Sequence, residues 1–140
     1  MTWLRAAAVV TTTALAVTAL AVTARPADAC RCLAPPLARA VRAADVVFAG
    51  TVGKVEVTDH AQAVVHVRAV WKGAVAADVT IHDSPTSCRR GLTEGAALVV
   101  VGRWIEGRLT VRQCDGTQAA APAVERRLTR LLGAPRDPTP

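Results

Sequence analysis

The residues best suited to chemistry lie together near the start of the chain, at 27–32 with the sequence ADACRC. Ala27 and Ala29 form the small-x-small pattern of a signal-peptidase site, so we predict cleavage that leaves Cys30 as the first mature residue. A disulfide at Cys30 would hold its free α-amino group and its carbonyl side by side on a rigid anchor. An amine and a carbonyl so placed are a bidentate ligand for a metal ion.

The segment before this site has the layout of an export signal. An arginine precedes residues 6–22, which are apolar apart from threonines, and residues 23–26 are more polar. We therefore predict that 1–29 is a signal peptide and that the mature protein is secreted and extracellular, with no membrane segment after signal removal. Three alternatives stay open: an uncleaved N-terminal anchor, a lipoprotein acylated at Cys30, and cleavage after Ala24.

The rest of the chain is long enough for one domain with a core and too short for two. We assign 30–133 to that domain and predict that the tail 134–140, which holds three prolines, is disordered. The whole chain carries a formal net charge of +6, and its basic residues are scattered. This charge suggests acidic partners, although the Ala, Val and Arg bias of a GC-rich bacterial proteome explains it more simply.

All four cysteines follow the predicted signal, which favours two disulfides in an exported protein. Cys30 and Cys32 are poorly placed to bridge each other, so we expect each to pair with Cys88 or Cys114, in either arrangement. A structural zinc site is the competing use of four cysteines. The spacing does not favour it, because the paired C-x-x-C segments of such sites are missing.

Helical spacing and alternation predict five strands between two helices, at 37–44 (helix), 45–57, 62–71, 78–82, 96–101 and 108–113 (strands) and 119–132 (helix). The first strand changes its apolar face between Val52 and Val55, so we place a bulge at Gly53. Glu106-Gly107 predicts a tight turn between the last two strands. A bent first strand among five mostly antiparallel strands predicts a mainly β fold, a small closed OB-fold-like barrel, with a two-sheet sandwich as the alternative.

Apolar positions predict which faces are buried. The second strand has its apolar face at Ala63, Val65, Val67, Ala69 and Trp71, and the terminal helix has an apolar stripe at Val124, Leu128 and Leu131. We assign Phe48 and Trp71 to the core, which leaves Trp104 as the only other aromatic residue of the mature chain. Single-stranded nucleic acid binding needs several stacking aromatics, so we expect no nucleic acid partner.

We find no sequence sign of catalysis. The chain has no H-E-x-x-H motif, no nucleophile elbow and no phosphate loop. His60 falls in a predicted turn, while His66 and His82 fall at outward strand positions, so we interpret all three as solvated. We therefore expect a protein that is not an enzyme and has no cofactor and no metal ion of its own.

Several of these residues together resemble the netrin-like module, and more narrowly the N-terminal domain of tissue inhibitors of metalloproteinases. The likeness spans 30 to about 117, and its most specific part is the combined spacing of the four cysteines. It is carried by Cys30-Arg31-Cys32, the strand at 44–52 (ADVVFAGTV), Val70-Trp71-Lys72-Gly73, Cys88 with Gly91 and Gly95, and the closing Cys114. The resemblance implies an OB-fold barrel with disulfides Cys30–Cys88 and Cys32–Cys114.

It also implies a secreted inhibitor of zinc metalloproteases. The amine and carbonyl of Cys30 would chelate the catalytic zinc of the protease, which is the expected partner. Arg31 would enter the specificity pocket, and the segment of Cys32, Leu33 and Ala34 would lie in the substrate cleft as a strand-like ridge. The animal inhibitors have a small Thr or Ser in place of Arg31, a third disulfide and a C-terminal subdomain. The alternative is therefore a secreted netrin-like binding or adhesion module without protease inhibition.

Overall fold

The computed structural model describes residues 32–86 and 88–140. Its elements are α1 (Leu37–Ala43), β1 (Val46–Val57), β2 (Ala61–Lys72), β3 (Asp78–Asp83), β4 (Ala97–Ile105), β5 (Arg108–Val111), β6 (Gln118–Ala119) and α2 (Pro122–Leu132). The predicted signal peptide at 1–29, Cys30 and Arg31 lie outside the described residues. Within these ranges no helix is long and apolar enough to cross a membrane.

Five strands close into a barrel. β1 pairs antiparallel with β2 on one side and with β4 on the other, and β2 pairs antiparallel with β3. β3 pairs in parallel with β5, which pairs antiparallel with β4 and completes the ring. The short β6 adds to β4 outside the ring. The prediction of a mainly β, OB-fold-like barrel with a helix at each end is confirmed, and the two-sheet sandwich is wrong.

Bulges bend the long β1–β2 ladder. Between Val52 and Val55, β1 has one more residue than β2, which confirms the bulge predicted at Gly53. Two further register shifts place extra residues in β2, at Arg68 and at Trp71. Because each extra residue reverses the alternation that follows it, β2 changes its apolar face before its end.

The apolar side chains form two layers. The barrel interior is filled by Val46, Phe48, Val52, Ala63, Val65, Val67, Val70, Val75, Ile81, Leu98, Val100, Leu109 and Val111. A second cluster covers the outside of β1 and β4 and joins both helices to the barrel: Leu37, Ala40, Val41, Ala44, Val47, Ala49, Trp71, Val99, Val101 and Leu128. Strand β4 is therefore covered on both faces, as its continuous apolar run predicts.

Trp71 is buried in the core, as predicted, but it lies in the second layer and not on the same face as Ala63, Val65 and Val67. Val70 points into the barrel, whereas Trp71 lies outside it, where its Nε1 donates to Thr129 Oγ1 of α2 at 3.1 Å. The bulges in β2 are the physical reason. The predicted stripe of α2 is also wrong in one position, because Leu131 is 42% exposed while Leu132 packs against the second layer.

The tail differs from the predicted disorder. β3 pairs with β2 only as far as His66, so β3 leaves the edge of the later part of β2 unpaired. Val70 and Arg136 exchange backbone hydrogen bonds of 2.9 and 2.8 Å across this edge, and Thr139 N donates to Val75 O. Arg136 and Thr139 each donate one of these bonds through a backbone N–H group, which the prolines of the tail do not have.

Candidate functional site

A disulfide fixes the described start of the chain to the barrel. Cys32 is bonded to Cys114, which follows β5, with 5.9 Å between the two Cα atoms. This is one of the two bridges that the netrin-like resemblance implies. The bridge closes a loop with a sequence separation of 82. A disulfide across a loop of this length stabilises the fold by about 4 kcal/mol in the chain-entropy model, because it restricts the unfolded chain.

Cys88 lies beside this bridge. Gln113 N donates to Cys88 O at 3.0 Å, which places Cys88 next to the residue before Cys114. Cys32 and Cys88 also border the same groove. No cysteine in the described ranges is free. The predicted partner of Cys88 is Cys30, which lies outside those ranges, so the second disulfide stays a prediction.

The residues after Cys32 project from the surface. Residues 32–36 belong to no helix or strand, and Leu33 is 98% exposed. Helix α1 begins directly afterwards, where Pro36 O accepts hydrogen bonds from Arg39 N and Ala40 N. The segment of Cys32, Leu33 and Ala34 is therefore an exposed strip held at both ends, by the disulfide and by the helix.

A groove of about 1030 Å³ runs beside this strip. Leu109 and Val111 of β5 point into the barrel, so the alternate residues of that strand form part of its floor. One wall comes from α1 and the strip, and another from the loop after β3. We call this surface the arginine-lined groove, because its border includes Arg39, Arg103, Arg108 and Arg112. The same border also includes five carboxylates, those of Asp45, Asp59, Asp83, Glu106 and Asp115.

The loop after β3 is held by a buried carboxylate. Asp83 accepts hydrogen bonds from Ser84 N at 2.8 Å, Arg90 N at 2.7 Å and Gly91 N at 2.7 Å. These bonds fix the loop that carries Cys88. The sequence predicts only a polar loop here. The role of Asp83 could have been inferred from the Asp-Ser-Pro sequence at 83–85, since an aspartate in a turn often accepts hydrogen bonds from backbone N–H groups.

The other carboxylates that border the arginine-lined groove differ in their partners, and they are those of Asp45, Asp59, Glu106 and Asp115. Asp45 Oδ2 accepts Trp104 N at 2.8 Å, and Asp115 accepts Arg112 N at 2.7 Å and Thr117 N at 2.8 Å. Burial raises the pKa of Asp115, and the backbone hydrogen bonds oppose that rise. Backbone amides therefore hold the carboxylates of Asp45 and Asp115 in place. Those of Asp59 and Glu106 are exposed and make no hydrogen bond or ion pair within the described ranges.

The arginines of the groove have no such partners. In the described part of the chain the guanidinium groups of Arg39, Arg103, Arg108 and Arg112 make no hydrogen bond and no ion pair, and all four residues are exposed. Arg68 on β2 contrasts with them, since it pairs with Glu125 of α2.

Two histidines meet at one end of the groove. His60 Nε2 lies 3.3 Å from His82 Nδ1, so the two half-buried rings contact each other, contrary to the interpretation that both are solvated. Burial lowers the pKa of His82, with smaller contributions from His60 and Arg108. Across residues 32–86 and 88–140, no group of three or more His, Cys, Asp or Glu could hold a metal ion.

Two comparisons with known proteins return no match: no family model matches the chain, and no curated protein matches it at a significant level. The resemblance to the netrin-like module therefore stays a prediction from the sequence.

Proposed function

We propose that the mature protein is exported and inhibits zinc metalloproteases through the free amine and carbonyl of Cys30. The observation that carries this proposal is the exposed strip at Cys32, Leu33 and Ala34, which is fixed to the barrel by the Cys32–Cys114 disulfide. A strip held in this way loses little conformational freedom when it enters a protease cleft.

The position of Cys88 fits the second anchor that the proposal needs. Cys30 precedes Cys32 by two residues, a span of at most about 7 Å. Cys88 borders the same groove as Cys32 and contacts the residue before Cys114. A Cys30–Cys88 bridge would therefore hold the new N-terminus beside the first bridge.

The chemistry of the terminus suits a catalytic zinc. Such a zinc keeps one position open for water. An α-amino group has a pKa near 8, so part of it is unprotonated at neutral pH and can replace that water. The carbonyl of Cys30 would complete the chelate.

Arg31 would then set the choice of protease. It directly follows the chelating residue, so it would enter the pocket next to the zinc. A long cation fits an open or acidic pocket better than a deep apolar one. Leu33, which is 98% exposed, would contact the cleft farther along.

The test compares two folded forms, one that begins at Cys30 and one with a single alanine added before it. Mass spectrometry confirms the start and the two disulfides of each form, and both are assayed against a panel of zinc metalloproteases. We expect inhibition by the first form only, because the added residue displaces the amine from the zinc. Inhibition by both forms, or by neither, would contradict the proposal.

The second candidate is a secreted binding module without inhibition. The arginine-lined groove favours it, because its exposed arginines and carboxylates offer a contact surface that needs no free amine. The same pair of proteins separates the two candidates, since a binding module would bind its partner equally well with or without the added alanine.

A further inference from the structure

We propose that two copies of this chain associate through the end of strand β1, so that residues 53–57 of one copy pair antiparallel with 53–57 of the other. Such a contact uses the same surface on both copies, as two-fold symmetric dimers do. The proposal goes beyond protease inhibition and does not depend on Cys30.

The end of β1 has an open edge. The β1–β4 ladder ends at Thr51, and Val52 adds two backbone hydrogen bonds, one with Gly95 and one with Ala96. In the described part of the chain, β2 is the only strand that pairs with the residues beyond Val52, and Val57 is 74% exposed. An edge of this kind is a template for a further strand.

The backbone groups at this edge point outward at Val55 and Val57. Val52 directs its N–H and C=O away from β2, so Val65, which lies opposite it on β2, directs its own away from β1. This orientation recurs at every second residue, and Ala63 therefore faces as Val65 does. Val55 lies opposite Ala63, so its groups point to the open edge, as do those of Val57. They have no hydrogen-bond partner on that side among the described residues.

The charges on this edge favour a second copy as the partner. Lys54 and Glu56 are both exposed, with 3.7 Å between Lys54 Nζ and Glu56 Oε1. When two copies pair about Val55, Lys54 of each copy lies opposite Glu56 of the other. The four side chains then alternate in sign both along and across the strands, and opposite charges on neighbouring strands stabilise their pairing.

Other registers of this pairing bring like charges together. A pairing centred on Lys54 or on Glu56 places that residue opposite its own counterpart, and like charges directly opposite each other are destabilising. Charged side chains on an edge strand usually prevent association for this reason. Here the alternation of sign instead favours the register centred on Val55.

Another open edge of the barrel is covered by the chain itself. β3 leaves the later part of β2 unpaired, and the tail lies along it through the backbone hydrogen bonds between Val70 and Arg136. Among the described residues no segment lies along 53–57 in this way. The end of β1 therefore keeps its edge for another chain.

The test measures the mass of the protein in solution by sedimentation velocity. A contact of this size predicts a weak dimer, so the concentration runs from about 10 μM to about 1 mM. Both folded forms are measured, the one that begins at Cys30 and the one with the added alanine. We expect the same concentration-dependent dimer in both, because the amine of Cys30 takes no part. Failure of the inhibitor proposal therefore leaves this result unaffected, and the reverse also holds.

Charge variants separate this pairing from any other dimer. Lys54→Glu and Glu56→Lys each place like charges opposite each other, so each should weaken the dimer at least ~10-fold. The double variant exchanges the two charges and restores their alternation, so its dimer should match that of the unchanged protein within ~3-fold. An equal mixture of the two single variants should form a heterodimer, because each glutamate then lies opposite a lysine.

The matched controls are Arg126→Glu on α2 and Glu106→Lys in the turn after β4, which make the same changes in net charge at other exposed positions. Both should dimerise as the unchanged protein does. Circular dichroism checks that each variant folds. Amide hydrogen exchange followed by NMR is the second measurement, and the N–H groups of Val55 and Val57 should exchange more slowly at concentrations at which the dimer forms.

The proposal is overturned by a monomer over the whole concentration range or by equal losses in the edge variants and the controls. Failure of the double variant to recover the dimer would also overturn it. A dimer in which the amides of Val55 and Val57 exchange as fast as in the monomer would show that the copies meet at another surface.

Discussion

The barrel interior and the arginine-lined groove beside it differ in how far their side chains find partners within the protein. Phe48, Ile81 and Leu109 are buried inside the barrel with apolar neighbours on all sides. In the groove, four arginines lack partners within the described ranges and Trp104 is half exposed. The interior thus determines the fold, while the groove and the neighbouring strip expose groups that are free to contact another molecule.

The largest expected effect comes from the barrel interior. Phe48→Ala should lower the free energy of unfolding by about 3–5 kcal/mol, because it removes a fully buried ring and leaves a cavity. Urea denaturation followed by circular dichroism measures this loss. Trp104→Ala is the control from the groove and should change the free energy by less than about 0.5 kcal/mol. A similar cost for both substitutions would refute the contrast between the two regions.

The next effect concerns the disulfide that fixes the exposed strip to the barrel. Replacing Cys32 and Cys114 together by serine should lower the free energy of unfolding by about 2–5 kcal/mol, because it frees a long loop of the unfolded chain. The same variant should lose any protease inhibition, since the strip is no longer fixed. Leu33→Ala is the control for stability, and urea denaturation should show no change because Leu33 is almost fully exposed. Retained inhibition in the serine variant would mean that the anchor is not needed.

A smaller loss is expected where the loop of Cys88 is held. Asp83→Asn should cost about 1–3 kcal/mol, because one carboxylate oxygen becomes an amide group that cannot accept a hydrogen bond from a backbone N–H. Glu106→Gln, at an exposed turn, is the matched control in the same urea experiment. If both changes have equally small effects, the buried carboxylate does not hold the loop.

The smallest effect depends on pH and concerns the histidine pair. Burial lowers the pKa of His82 in the folded protein below the ordinary value of 6.5, so between those two pKa values the unfolded chain binds more protons than the folded chain. This contribution to stability is complete above pH 6.5 and is lost as the pH falls toward the folded pKa. Melting temperatures across this range should therefore fall on acidification, and His82→Gln should reduce the slope. His60→Gln should reduce it less, since burial is the main cause. An unchanged slope in His82→Gln would contradict this assignment.

The sequence predicted the parts of the fold that depend on local pattern. Alternation and one glycine were enough to place the bulge at Gly53, and the resemblance supplied the Cys32–Cys114 pairing. Alternation predicted the wrong face for Trp71, because the two extra residues of β2 are not marked by a glycine as the bulge in β1 is. The tail was misjudged because its order depends on a free edge of β2, which only the tertiary structure reveals.

The candidate site was predicted less well than the fold. The sequence pointed to the strip after Cys30, but not to the arginine-lined groove, whose arginines come from α1, β4, β5 and the residues after β5. Their charges are far apart in sequence and meet only when the barrel closes. The contact of His60 with His82 was missed for the same reason, because it joins a turn to a strand 22 residues away.

The most direct test of the account asks whether the Cys30 amine reaches the metal. A zinc metalloprotease that the protein inhibits is prepared with cobalt in place of zinc, and its visible spectrum is recorded with each of the two forms. The account predicts that the form beginning at Cys30 changes the cobalt spectrum, since a nitrogen ligand replaces water, and that the alanine-extended form leaves it unchanged. Inhibition by the Cys30 form without any spectral change would contradict it, because the protein would then act away from the metal.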